Sequence, residues 1–60
     1  METTYRITKY DAAHGCDVML TVKSSWTLHA DKAATFSFAD ALWNLGYALM
    51  HSPTAVISEA

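Results

Sequence analysis

The sequence predicts an α+β fold of order β-β-α-β, in which one helix packs on one face of a three-stranded antiparallel-type sheet. Three observations carry this prediction. Two stretches near the start alternate apolar and polar residues with the period of a strand. A later stretch, SFADALWNLGYALMH, spaces its apolar residues with the period of a helix. A short β-rich stretch, TAVIS, follows the proline that ends that helix.

The first strand covers Thr3 to Tyr10, where Tyr5 and Ile7 alternate with Arg6 and Thr8 among β-branched and aromatic residues. DAAHGC then makes a turn, with Asp11 at its entry and Gly15 free to take a positive φ. The second strand is expected to run from Asp17 to Trp26. It sets Val18, Leu20, Val22 and Trp26 on one face against Thr21, Lys23 and Ser25. The two strands form a hairpin. Thr27 to Phe36, TLHADKAATF, has no clear period and reads as a connection with room for one helical turn at Asp31 to Ala34.

Ser37 is placed to cap the long helix, because Asp40 three residues on resembles a capping box and suits the positive end of the helix dipole. At about 100° per residue, Phe38, Leu42, Leu45 and Leu49 fall on one line, which is expected to dock on the sheet. Ala39, Trp43, Tyr47 and Met50 form a second apolar line beside it. Gly46 costs the helix about 1 kcal/mol relative to alanine and leaves room for close approach to the sheet or to a partner. Pro53 stops the helix, and Thr54 to Ser58 form the third strand. A right-handed crossover from the second strand to a parallel third leaves space for the first strand between them, giving the sheet order 2-1-3. The alternative places the third strand at the free edge of the second. Either way one face of the sheet is left open.

Residues 1–60 read as a single domain, with 52% hydrophobic and 17% charged residues, the composition of a chain that folds. So short a domain buries only about 60% of the surface its unfolded chain exposes. One cysteine, Cys16, makes no internal disulfide, so oligomerisation is the staple that remains. The lone thiol fits a reducing compartment, and the opening METTYRITKYD lacks the basic start and apolar core of a signal peptide. No apolar run approaches the roughly 20 residues that span a bilayer, so the expectation is a soluble cytoplasmic protein without membrane contact. The net charge is −2, and the four cations Arg6, Lys9, Lys23 and Lys32 are scattered. Direct nucleic-acid binding, which needs a basic patch to displace counterions, is not expected. The acids Glu2, Asp11, Asp17, Asp31, Asp40 and Glu59 are equally dispersed.

His14, Cys16 and the more distant His51 have the atoms of a metal site, and a metal-binding subunit built on them is one reading of the chain. The second ligand pair of a structural zinc site is missing, however, and His14 beside Cys16 lacks an orienting third group. Gly-rich phosphate loops, paired carboxylates and redox cysteine pairs are absent as well, so the chain is read as non-enzymatic and no cofactor is assigned. The aromatic residues carry more information. Trp43 and Tyr47 lie too far round the helix from the Phe38 line for one sheet to cover both, and aromatic residues and methionine, here Trp43, Tyr47 and Met50, are enriched at recognition surfaces. Together with Ala39 of the same line and with Asp40 they are the expected partner-binding residues.

In size, mildly acidic composition and β-β-α-β plan, the whole chain resembles the small phage-encoded inhibitors of bacterial defence known as anti-CRISPR proteins. The resemblance implies an inhibitor, acting in the bacterial host cell, that sterically blocks a nucleic-acid-handling complex. Its partner would be a Cas subunit or effector complex. A competing reading is a small homodimeric regulator or antitoxin-like module that uses the same helix face for self-association.

Overall fold

The computed structural model describes residues 3–60, so Glu2 among the dispersed acids lies outside the described residues. The chain forms β1 (Tyr5–Asp11), β2 (Cys16–Leu20), β3 (Trp26–Thr27), a single 3-10 turn at Ala30–Lys32, α1 (Phe38–His51) and β4 (Val56–Glu59). The four strands make one antiparallel sheet in the order β3-β2-β1-β4. β1 is central, with β2 and β4 running in a common direction on either side of it. The three strands read from the sequence therefore stand in the order 2-1-3 within a sheet that has four strands rather than three.

The additional strand arises because the expected long second strand is itself a hairpin. β2 ends at Leu20, and the chain reverses through Thr21–Ser25, where Thr21 N donates to Ser25 O and Ser24 N to Thr21 O. The hydroxyl of Thr21 accepts from the backbone N–H groups of Lys23 and Ser25, a local bonding pattern that competes with a strand ladder. Ser24 takes a φ of 62° at the bend. Val22, assigned to an apolar strand face, instead stands exposed at the turn. Leu20 and Trp26 pair directly across this hairpin.

The β1–β2 turn follows the sequence more closely. The Asp11 carbonyl accepts from His14 N and Gly15 N, the Asp11 carboxylate accepts from Ala13 N, and Gly15 takes a φ of 69°. The left-handed conformation costs a residue with a Cβ roughly 1–2 kcal/mol. Gly15→Val is accordingly expected to destabilise the fold by about 2 kcal/mol in urea unfolding, because a β-branched residue tolerates this region least. An unchanged midpoint would mean that the turn relaxes to another geometry.

From β3 the chain passes the 3-10 turn and returns along the sheet. Ala34 N donates to Leu20 O, and Phe36 exchanges two backbone hydrogen bonds with Tyr5, flanking the start of β1 where β2 has ended. Ser37 then caps α1, its side chain accepting from Asp40 N at 3.3 Å. Ser52 closes the helix with an extended backbone, as the residue before Pro53 must.

The helix docks on the sheet through a line other than the one expected. Ala41 and Ala48 are buried and Leu45 packs against the core of Ile7, Leu20, Ala48 and Ala55, together with Trp26, Phe36 and Ile57. Of the Phe38, Leu42, Leu45 and Leu49 line, only Leu45 takes part; Phe38 and Leu42 are just over half exposed and Leu49 is 42% exposed. The reason is steric. Ala41, Leu45 and Ala48 also recur with helical spacing, and two methyl side chains let the helix axis approach the sheet more closely than four large ones would. Phe38 is left at the margin, in an edge-on contact with Tyr5 at 5.3 Å between ring centroids. On the opposite flank, Lys9 reaches across β2, donating to the Ser52 hydroxyl and lying 4.6 Å from the centre of the Trp26 ring.

Candidate functional site

With Ala41, Leu45 and Ala48 turned inward, a wheel of 100° per residue places Ala39, Trp43, Gly46 and Met50 on the opposite side of α1, facing solvent. Leu42 and Leu49 border this face on one side and Tyr47 on the other. The polar arc is narrow and one-sided, consisting of Asp40, Asn44 and His51. Trp43 is 82% and Met50 81% exposed, although both are large apolar residues on a regular helix. Tyr47 is half-exposed and leans on the His51 ring with centroids 5.0 Å apart.

These side chains frame a shallow groove of about 540 Å³. Leu42, Trp43, Tyr47 and Met50 line it, Gly46 lies among them, and Ser24 of the β2–β3 turn borders it. A Cβ at Gly46 would meet no atom within 4 Å, so the glycine is not there to admit the sheet. Its cost of about 1 kcal/mol relative to alanine goes uncompensated inside the chain. The five residues expected to bind a partner, Ala39, Asp40, Trp43, Tyr47 and Met50, are all exposed, but Asp40 belongs to the polar flank, where its carbonyl accepts from the Asn44 amide. Leu42 and Leu49, assigned by the sequence to the core, border the same apolar face.

The residues considered for metal chemistry are differently placed. The His14 ring bonds the Asp11 carboxylate at the β1–β2 turn, and Cys16 stands exposed at the start of β2. This bond from His14, aided by the Ala13 N–H, holds the Asp11 carboxyl below its ordinary value. His51 sits at the far end of α1 with its ring against Tyr47. Among the described residues, no group of three His, Cys, Asp or Glu side chains is arranged to hold a metal ion, so the metal-binding reading built on His14, Cys16 and His51 finds no assembled ligand set. No helix among the described residues is long and apolar enough to cross a membrane. Protein-family models, curated proteins and solved structures offer no match to this chain.

Proposed function

We propose that the protein is a non-enzymatic interaction module of the anti-CRISPR type, which uses the outer face of α1 to occupy a Cas subunit or effector complex and so blocks its work on nucleic acid. The observation that carries this reading is the exposure of Trp43 and Met50 around an open apolar groove, on a helix whose core contacts are made by other residues. Anchors on a formed helix lose little conformational freedom on binding, and a few buried aromatic residues supply most of the affinity of a typical interface. Contact with a protein is favoured over contact with phosphate because the four cations are dispersed and Lys9 is engaged with Trp26 and Ser52.

The test is phage plating on bacteria with an active CRISPR defence that targets the phage, with and without the protein expressed. Plaquing is expected to be restored across at least one CRISPR type. Trp43→Ala is expected to weaken binding to the purified effector by about thirtyfold, the effect of losing an anchor worth about 2 kcal/mol. Failure to restore plaquing against any type, or a Trp43→Ala variant that inhibits and binds like the parent, would overturn the reading.

A further inference from the structure

We infer that the first occupant of the outer α1 face is a second copy of this chain, the two helices packing antiparallel across a twofold axis at Gly46. The inference rests on the reading of this face as a contact surface, and names what covers it before any foreign partner does. Its basis is the symmetry of the apolar pattern about the glycine. Leu42 and Trp43 lie one turn before Gly46, and Leu49 and Met50 lie one turn after it. A copy turned through 180° therefore presents the same spacing. At 100° per residue, Trp43 and Met50 share one side of Gly46 while Leu42 and Leu49 share the other. In an antiparallel pair, Trp43 then meets the second copy's Met50, and Leu42 its Leu49. Sulfur against an indole ring is a favourable contact, and a twofold interface requires this kind of self-complementarity.

Gly46 supplies the clearance. Helix axes approach to the short end of the usual 8–10 Å range only where side chains at the crossing are small, and nothing of the chain itself stands in front of this position. Ala39, on the same line two turns earlier, keeps the approach open along the helix. The antiparallel sense also sets the two helix dipoles in opposition.

The area approaches what a stable dimer needs. Taking each large side chain at roughly 150–250 Å² when free, the exposed fractions of Leu42, Trp43, Tyr47, Leu49 and Met50 amount to about 600 Å². A stable interface covers about 800 Å² per partner, and Ser24 and Asn44, which line the groove, add polar area at its edge. A bare apolar face of this size is already at the upper limit for a monomer, where the largest patch runs to about 300–600 Å².

Sedimentation equilibrium of the full chain is expected to give a dimer at micromolar concentration. Trp43→Lys and Gly46→Leu should each raise its dissociation constant at least tenfold while circular dichroism retains the folded spectrum. Gly46→Leu is the sharper of the two, because leucine favours the helix and its Cβ meets no atom within 4 Å, so a loss of dimer with an unchanged circular dichroism spectrum is not a loss of fold. Should Trp43→Lys fail to fold, Gly46→Leu alone carries the test. A monomer at all concentrations, assembly that does not stop at a dimer, or a dimer indifferent to Gly46→Leu overturns the inference. A monomer that still inhibits through Trp43 would leave the proposed function standing, whereas a Gly46-centred dimer without effect on any CRISPR defence would leave only the dimer.

Discussion

Ile7→Ala is expected to cost about 3 kcal/mol of unfolding free energy, within the range of about 2–5 kcal/mol for removing a buried branched side chain. Ile7 lies at the middle of the central strand, is 0% exposed, and touches the core formed by Leu20, Ala48 and Ala55. A domain of this length has only about 3–9 kcal/mol in hand, at roughly 0.05–0.15 kcal/mol per residue. The variant should therefore populate the unfolded state heavily at growth temperature. Urea unfolding followed by tryptophan fluorescence measures the loss, with Ile7→Val as the control at about 1 kcal/mol. Equal midpoints for the parent and Ile7→Ala would show that the centre of stability lies elsewhere.

The second large effect is expected from enlarging a residue that composition alone would call unimportant. Ala41 is fully buried where α1 meets the sheet, so Ala41→Leu must push the helix outward or force strained rotamers, at a cost of about 1–3 kcal/mol. Leu42→Ala, one position along, removes the same volume that Ala41→Leu adds, yet should change the stability of a single chain by less than about 1 kcal/mol, since the side chain is just over half exposed. Thermal unfolding of the two variants at low concentration separates these outcomes. The reverse order would restore Leu42 to the core.

The contrast between Ala41 and Leu42 also marks where the sequence could be read and where it could not. Ser37, Gly15 and Pro53 each act through local backbone chemistry, so the helix start, the first turn and the helix end were legible from single residues. The helix face was not. Apolar size singled out Phe38, Leu42, Leu45 and Leu49, but the depth at which a helix seats on a sheet depends on which line is thin, and Ala41 and Ala48 make the thin line. The break between β2 and β3 was hidden for a different reason. Paired residues in a hairpin share a face, and so do residues an even number of positions apart in one strand. Leu20 and Trp26 satisfy both conditions, so alternation cannot distinguish a continuous strand from a folded one. Only the hydroxyls of Thr21 and Ser25 carried the signal. The candidate site was legible where it depends on residue type, in Trp43, Tyr47 and Met50. The place of Leu42 and Leu49 beside them was not, because it follows from the docking line.

The central position of β1 has a further consequence, for the order in which the fold is acquired. One neighbour, β2, follows after a tight turn, so that ladder can form within a short loop of chain. The other, β4, pairs Tyr5 with Glu59 and closes nearly the whole sequence into a loop, a step with a larger entropic cost that belongs late in folding. Until β4 arrives, one edge of β1 remains open beside the half-covered Ile7 while the outer side of α1 is already bare. During this interval the chain is most exposed to capture by other molecules, and a ribosome that has yet to release β4 would hold it there.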